Sequence, residues 1–292
     1  MSITVAIIAQ GSMGSGVGGR LYEKGAQVRT LLSGRSAKSA ERARAAGMQP
    51  AEDERALLSG ADFFLSILPP GEAENIAHQL APAFAALDRK PVYVDCNAIS
   101  PQTAERVAAI VAPTGAPFVD GGIIGGPPRP RYSPAIYASG PEVGKTAALR
   151  DWGLDWRIIE GPIGAASGLK MSYAGITKGI TALGSAMMLG AARFGCAEAL
   201  VAELSSSQPQ IFGYLSNSIP RMYDKAYRWV AEMEEIADFH GEGRAAVDIY
   251  AAIARHYEFL AKEEAARTPG PDNAIDTLDR VLGREARREA AE

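Results

Sequence analysis

The sequence predicts an α/β fold over its first half and a helical second half. Short apolar runs alternate with helical patterns up to residue 161, which is typical of βαβ units with a mostly parallel sheet. The runs are continuously apolar, as expected for strands that are buried on both faces. After Gly161 the strand signals give way to segments rich in Ala, Leu, Met and Gly. We therefore predict two domains, at 1–161 and 162–292.

Each element follows from its local pattern. Strands are predicted at seven apolar runs, residues 3–9, 27–32, 63–68, 92–95, 118–121, 135–139 and 156–159. Helical patterns separate them, the first ending at Lys24 and the next two covering residues 37–46 and 72–86. Ser100 and Pro101 then resemble the N-cap and first position of a further helix. Residues 165–194 are apolar nearly all round and predict one long helix, buried against several neighbours. The end of the chain, residues 283–292, is predicted to be an exposed or frayed helix.

The composition excludes several functional classes. There are 30 Lys and Arg residues against 34 Asp and Glu residues, whereas nucleic-acid binding requires a basic excess, so we expect no nucleic-acid partner. Cys96 and Cys196 form no CxxC pair, and the histidines lack metal-ligand spacing, so we expect neither a disulfide framework nor a metal. We predict no signal peptide and no membrane span. These features predict a soluble, cytoplasmic protein with a small-molecule substrate.

The first predicted strand runs into a glycine-containing turn at residues 9–14, Ala-Gln-Gly-Ser-Met-Gly. In the dinucleotide fingerprint G-x-G-x-x-G, Ala9 replaces the first glycine, which is tolerable if its φ is negative. Gly11 stands where the backbone approaches a pyrophosphate, and Gly14 where the helix packs on the strand. A purely structural turn is the alternative, but the following strands and helices favour a dinucleotide bound at the helix N-terminus. The predicted cofactor-binding residues are Gly11, Ser12, Met13 and Gly14.

The end of the second strand indicates which dinucleotide is bound. NAD enzymes usually place Asp or Glu there for the ribose 2′-hydroxyl, and this chain has no nearby carboxylate. Arg35 can pair with a 2′-phosphate, and Ser33 and Ser36 can add hydrogen bonds. The alternative is an ordinary surface arginine. We predict NADP (NADPH) as the cofactor, with NAD remaining possible.

Several motifs together resemble those of the β-hydroxyacid dehydrogenases, the group that includes 3-hydroxyisobutyrate and 6-phosphogluconate dehydrogenases. The turn at 9–14 resembles the family's GxGxMG opening. Residues 68–70, 120–126 and 164–170 resemble a loop near the cofactor, the substrate motif D-A-P-V-S-G-G and the approach to the catalytic lysine. The second half, including residues 170–175 and 228–235, is most similar to a branch whose C-terminal domain has unknown function.

The resemblance implies a Rossmann domain, a long interdomain helix and an all-α C-terminal domain. It also implies a homodimer with the active site in the cleft between the domains. Leu68 and Pro69 are then expected near the cofactor, and Asn97 within reach of the nicotinamide or its ribose. Gly122, Ile123 and Ile124 occupy the place of the substrate motif.

Lys170 is the expected catalytic residue. Hydride exchange between an alcohol and a nicotinamide needs a group that takes or gives the hydroxyl proton. The positive end of a long helix and an oxidised nicotinamide would both lower the pKa of Lys170. Tyr173 lies one turn further on, where it binds a substrate oxygen, orients Lys170 or merely packs. The alternative for Lys170 is a solvated surface lysine, which its apolar surroundings disfavour.

Two departures from the family pattern concern the substrate. Ile124 stands where the family has a serine that helps to bind the substrate carboxylate, so we expect a β-hydroxyacid-like or bulkier, less polar alcohol. Asp95-Cys96-Asn97-Ala98 replaces the usual D-x-S-T. The leading hypothesis is an NADP-dependent dehydrogenase or reductase. Imine reduction on the same scaffold and a non-catalytic NADPH sensor are the alternatives.

Overall fold

The structure is a computed structural model that describes residues 2–8, 10–267 and 273–283. Ala9, for which a negative φ is predicted, lies outside these residues. So do residues 284–292 of the predicted exposed or frayed helix. The chain divides into two compact units, Met1–Ser172 and Tyr173–Glu292. The predicted boundary after residue 161 falls earlier, because the first two turns of the long helix belong to the first unit.

The first unit contains an eight-stranded sheet. Its strands are β1 (Thr4–Ile8), β2 (Gln27–Leu31), β3 (Gln49–Ala51), β4 (Phe63–Ser66), β5 (Val92–Asp95), β6 (Phe118–Ile124), β7 (Ala135–Ser139) and β8 (Asp155–Ile158). They lie side by side in the order β3-β2-β1-β4-β5-β6-β7-β8. Neighbouring strands are parallel except β6 and β7, which are antiparallel. The prediction of a mostly parallel sheet is confirmed.

Five α-helices connect these strands: α1 (Ser12–Glu23), α2 (Ala37–Ala45), α3 (Glu54–Leu58), α4 (Ala73–Ala85) and α5 (Pro101–Val111). Ser100 caps α5 by accepting a hydrogen bond from the Thr103 backbone N–H, as its position before a proline predicted. The short elements β3 and α3 were not predicted from the sequence. The three residues of β3 are Gln49, Pro50 and Ala51, which contain no apolar run to detect.

The core of the first unit lies on both faces of the sheet. Val5 and Ile7 pack in one layer and Ala6 and Ile8 in the other, and all four are at most 1% exposed. Successive side chains of a strand point to opposite faces, so a strand covered on both sides needs apolar residues at every position. This burial explains why the continuous apolar runs are strands.

The loop between β6 and β7 packs against α1. The Arg20 guanidinium donates hydrogen bonds to the backbone oxygens of Arg129, at 2.9 Å, and Tyr132, at 3.3 Å. A Cβ atom on Gly16 would lie 2.8 Å from Cδ of Pro128, so only glycine permits this approach. β6 also continues past the last residue of β5, because Asp95 pairs with Asp120 and β6 runs on to Ile124.

The long helix α6 (Ala165–Arg193) begins in the first unit and continues into the second. The second unit adds α7 (Ala197–Ser207), α8 (Pro209–Ser218), α9 (Ala226–His240), α10 (Ala245–Ala265) and α11 (Ala274–Val281). No strand occurs among its described residues, so the prediction of a helical second half is confirmed. None of the helices in the described ranges is long and apolar enough to span a membrane.

The sequence predicts that α6 is buried against several neighbours, but within this chain one face of the helix is exposed. Ala182 and Met188 are buried, but Ile176, Leu183 and Met187 are 62%, 58% and 65% exposed. An apolar composition all round therefore reflects two different apolar surfaces, one packed inside the second unit and one uncovered.

Candidate active site

The turn between β1 and α1 has the geometry of a phosphate-binding site. Gly11 is the N-cap of α1, with extended backbone (φ −69°, ψ −180°), and a Cβ atom there would meet no heavy atom within 4 Å. No side chain caps the helix, and its first turn contains no acidic residue. The first N–H groups of a helix lack intrahelical partners, so Ser12, Met13 and Gly14 present an uncapped, electropositive end. These residues fit a bound phosphate.

Gln10 holds this turn in place, a role that the sequence did not indicate. Its side chain is 1% exposed, and Nε2 donates hydrogen bonds to Thr30 Oγ1 and, at 3.1 Å, to the Leu31 backbone oxygen. The Thr30 hydroxyl in turn donates to the Ile7 backbone oxygen at 2.7 Å. These bonds join the ends of β1 and β2, which are the strands that precede the two predicted cofactor-binding segments.

The segment after β2 is exposed. Ser33, Arg35 and Ser36 all lie on the surface. Ser36 caps α2, because its hydroxyl accepts a hydrogen bond from the Ser39 backbone N–H at 3.3 Å. The Arg35 guanidinium makes no hydrogen bond or ion pair with any residue in the described ranges, so it is available to an anion.

Asn97 connects the ends of β4 and β5. Its Oδ1 accepts a hydrogen bond from the Leu68 backbone N–H at 2.5 Å. Its Nδ2 donates to Ser66 Oγ and to Asp95 Oδ2, both at 2.9 Å. The side chain is 1% exposed and both amide hydrogens are engaged. Asn97 therefore fixes the Leu68–Pro69 loop from behind, and its expected contact with the nicotinamide or ribose stays a prediction.

Lys170 lies against the same segment. Its Nζ donates a hydrogen bond to the Asn97 backbone oxygen at 3.3 Å, and the side chain is partly buried. Burial lowers the pKa of Lys170 to about 8, although Cys96, Asp95 and Asp120 all act to raise it. A lysine with this pKa exchanges protons near neutral pH, as general acid–base catalysis requires. The structural cause is desolvation, whereas the sequence predicts a lowered pKa from the helix dipole and the nicotinamide.

Buried carboxyl groups stand beside Lys170. Asp95 is 1% exposed, and burial raises its pKa to about 7, with a further contribution from Asp120. Burial also raises the pKa of the Cys96 thiol, which stays neutral at physiological pH and fits the predicted packing role. The sequence contains Asp95 and Asp120 within motifs but predicts no role for them, because their proximity to Lys170 depends on the register of β5 and β6.

The glycine pair of β6 allows α6 to approach closely. A Cβ atom on Gly122 would lie 2.7 Å from the Ala166 backbone oxygen and 3.3 Å from Cβ of Lys170. The next residue, Ile123, is 6% exposed and packs in the core, and its expected contact with substrate stays a prediction. Ile124 is partly exposed at the end of β6. Gly122 is thus brought together with Lys170 and Asn97, whereas the Ile123 side chain is not.

Tyr173 follows Lys170 by one helical turn and is 53% exposed. It is the first residue of the second unit, so its role toward substrate stays a prediction. Further along α6, Lys178 forms an ion pair with Glu232 and lies 5.2 Å from the centre of the Trp229 ring. Within the described ranges, no group of three or more His, Cys, Asp or Glu residues is arranged to hold a metal ion.

Residues 4–149 match the family described as the NAD binding domain of 6-phosphogluconate dehydrogenase. The chain belongs to this family. Residues 191–260 match a domain of unknown function, DUF1932, so the predicted superfamily and branch are both confirmed. The family is one of NAD(P)-dependent oxidoreductases, and its match covers strands β1 to β7, the α1 turn and the segment after β2.

Relatives with solved structures share the whole architecture. A conserved protein of unknown function, described as structurally similar to 3-hydroxyacid dehydrogenases, is 26% identical with a TM-score of 0.68, covering 91% of this chain and 100% of that chain. The 3-hydroxyisobutyrate dehydrogenase of Mycobacterium tuberculosis, solved with L-serine, is 19% identical with a TM-score of 0.68, covering 97% and 99%. The latter similarity shows the fold alone.

A curated relative comes from Methanothermus fervidus, an uncharacterized 28.5 kDa protein in the 7S RNA 5′ region. It is 27% identical over 164 residues, which cover 56% of this chain and 61% of the relative. The alignment therefore spans less than two thirds of that protein's length.

Proposed function

We propose that this protein is an NADPH-preferring dehydrogenase or reductase that interconverts an alcohol and a carbonyl compound, with Lys170 as the general acid and base. The observation that carries the proposal is the position of Lys170, partly buried and hydrogen-bonded to the Asn97 carbonyl at 3.3 Å, with a pKa of about 8. A structural surface lysine would have no reason to be desolvated beside the ends of β5 and β6.

Lys170 moves the proton in either direction of this reaction. As an ammonium it donates to the oxygen of a carbonyl that is being reduced, and as an amine it accepts the proton of an alcohol that is being oxidised. A bound nicotinamide supplies or receives the hydride. The imine-reductase alternative has less support, because the family resemblance implies that relatives with that activity lack the lysine.

NADPH rather than NADH is supported by the segment after β2. The free guanidinium of Arg35 can pair with a 2′-phosphate, and Ser33 offers a hydroxyl on the same exposed loop. Ser36 offers its hydroxyl as well as capping α2. The absence of an acidic residue at this place removes the usual partner of the NAD ribose.

The substrate is expected to carry more apolar surface than a small hydroxy acid. Ile124 presents a partly exposed aliphatic side chain at the end of β6, where the resembling family has a carboxylate-binding serine. Gly122 leaves its backbone uncovered by any side chain of its own. We infer a β-hydroxyacid-like or bulkier, less polar alcohol.

A homodimer is supported by the uncovered face of α6. Large apolar residues recur at spacings of three and four along the helix, with a last step of seven, and this 3.5-residue period suits pairing of two identical helices. The exposed members are Tyr173, Ile176, Ile180, Leu183, Met187 and Phe194, and we name this set the α6 seam.

The two free cysteines agree with a reducing cytoplasm.

The cofactor is tested by titrating the protein with NADPH and NADH while following nicotinamide fluorescence. Arg35→Ala should weaken NADPH binding by about tenfold or more and leave NADH binding nearly unchanged, because it removes one charge-assisted pair. Arg44→Ala, which removes another exposed arginine from the neighbouring helix, is the matched control. If neither nucleotide binds, the dehydrogenase proposal fails.

Catalysis is tested next with a panel of alcohols, carbonyl compounds and imines. Turnover of an alcohol–carbonyl pair that is lost in Lys170→Ala supports the proposal. Saturating NADPH binding without turnover of any compound would instead favour a sensor, and turnover of imines alone would favour the imine reductase.

A further inference from the structure

The Asp120 carboxylate receives four hydrogen bonds in the interior of the first unit. Its Oδ2 accepts from the backbone N–H groups of Gly164 and Ser167, both at 3.0 Å, and from the Ser139 hydroxyl at 3.1 Å. Its Oδ1 accepts from the Ser167 hydroxyl at 2.6 Å. Asp120 is 0% exposed, so these four donors, three at Oδ2 and one at Oδ1, satisfy the buried carboxylate in place of water.

These hydrogen bonds hold the first turn of α6 against the sheet. The unpaired N–H groups at a helix start are usually satisfied by a nearby residue in the chain, but here the partner is a strand residue 44 positions before Gly164. The Ser139 hydroxyl adds a second link by accepting from the Ala166 backbone N–H at 2.9 Å. Two neighbouring strands, β6 and β7, therefore dock the beginning of α6.

The same face of β6 sets the position of Lys170 along α6 relative to the sheet. Asp120 and Gly122 are two residues apart, so both face α6. Asp120 binds the first turn, and Gly122 leaves room for the Ala166 carbonyl and for Cβ of Lys170. Lys170 follows Ser167 by three residues, one turn above the docked N–H groups.

We propose that Asp120 is the positioning residue for Lys170, docking the start of α6 through its hydrogen bonds and holding the lysine ammonium through its negative charge. The inference rests on the proposed role of Lys170 as general acid and base, and it adds a residue that does not itself touch the substrate.

Among the described residues, three titratable groups act electrostatically on Lys170: Asp95 from the end of β5, Cys96 just after it, and Asp120 from β6. The thiol is neutral near pH 7 because burial raises its pKa. Asp120 and Asp95 are therefore the groups that oppose the desolvation of the ammonium. Removing the charge of Asp120 makes the protonated lysine less stable, so its pKa must fall.

The charge is tested by measuring the pKa of Lys170 directly in the intact protein. Competitive acetylation with acetic anhydride over a pH series, with the Lys170 peptide quantified by mass spectrometry, reports the fraction of free amine. In Asp120→Asn one oxygen still accepts from the two backbone N–H groups, and the pKa of Lys170 should fall by about one pH unit. Asp62→Asn is the control, because Asp62 also accepts from a backbone N–H, that of Thr4, at 2.9 Å.

Docking is tested separately with Ser139→Ala, which keeps the charge of Asp120 but removes the hydroxyl between Asp120 and Ala166. Loosening the helix start exposes Lys170 to water, so its pKa should rise toward 10.5, the opposite direction from Asp120→Asn. An unchanged or raised pKa in Asp120→Asn overturns the role of the charge. An unchanged pKa in Ser139→Ala overturns docking through the Ser139 hydroxyl, which links Asp120 to the Ala166 N–H, and this test stands even if Asp120→Asn does not fold.

The readout needs no substrate and no cofactor. NADPH fluorescence titration of the same variants shows independently whether the cofactor proposal holds, so a failure of the Asp120 inference is distinguishable from a failure of the proposed function.

Discussion

At the scale of single residues, Lys170 sets how the protein responds to alkaline pH. Its pKa is about 8 in the folded chain against 10.5 for an ordinary lysine. Between these values the unfolded chain binds more protons than the folded one, so stability rises with pH across this window. Below about pH 8 the buried ammonium costs free energy in the folded state.

Lys170→Met should therefore make the protein more stable at pH 7. The full pKa difference corresponds to about 3 kcal/mol, and partial solvent access and the loss of a partner for Asp95 reduce the expected gain to about 1–2 kcal/mol. The gain should shrink as the pH approaches 10. Urea unfolding at pH 7, 8.5 and 10 measures this, with the exposed Lys38→Met as control. A gain that is independent of pH would contradict a lysine with a lowered pKa.

Gly122 offers a test of the close contact between β6 and α6. Gly122→Ala places a methyl group 2.7 Å from the Ala166 backbone oxygen and should destabilise the protein by about 1–3 kcal/mol. Gly126→Ala is the matched control, because a Cβ atom there meets no heavy atom within 4 Å. Chemical denaturation of both variants measures the difference. Equal stability of the two variants would show that α6 can move away at no cost.

Local residue patterns predicted the α1 turn and the segment after β2, and the resemblance of residues 164–170 to the family's motif predicted Lys170. The roles of Gln10 and Asp120 were not predictable in the same way. Gln10 binds Thr30, 20 residues away, and Asp120 binds Ser167, 47 residues away. Such pairs depend on strand register, which a single sequence does not contain.

At the scale of elements, the continuous apolar runs predicted the buried core strands, but they did not predict β3. The three residues of β3 are at the edge of the sheet, where one neighbour suffices and an apolar run is unnecessary. The extent of α6 was predicted to within one residue, 165–194 against Ala165–Arg193. The sequence did not predict which face of α6 is covered. An apolar residue is equally consistent with packing inside the chain and with packing against a partner.

The α6 seam makes a prediction about assembly. Leu183→Glu combined with Met187→Glu places two charges in the middle of the seam and should convert a dimer into a monomer, since an unpaired charge is not tolerated in an apolar interface. Size-exclusion chromatography with light scattering measures the mass. Ser206→Glu, on the exposed surface of α7, is the control and should leave the mass unchanged. A wild-type monomer would refute the proposed homodimer outright.

At the scale of the whole molecule, the two compact units should respond differently to the cofactor. A ligand that binds only the folded protein stabilises it by about 2.7 kcal/mol at 100 times its Kd. NADPH should therefore raise the unfolding temperature of the transition that belongs to Met1–Ser172, and Arg35→Ala should reduce the shift. Differential scanning calorimetry with and without NADPH measures both effects. A shift of equal size with NADH would contradict the NADPH preference.

The packing of the loop between β6 and β7 has a consequence for the exchange of loops between relatives. It continues a strand that extends beyond its parallel neighbour, and it rests on α1 through Arg20 and through the space left by Gly16. A loop transplanted here from a relative would pack against an α1 surface that fits the original loop. Successful exchange therefore requires that the residues at positions 16 and 20 are exchanged together with the loop, so that the loop and the helix surface it contacts stay matched.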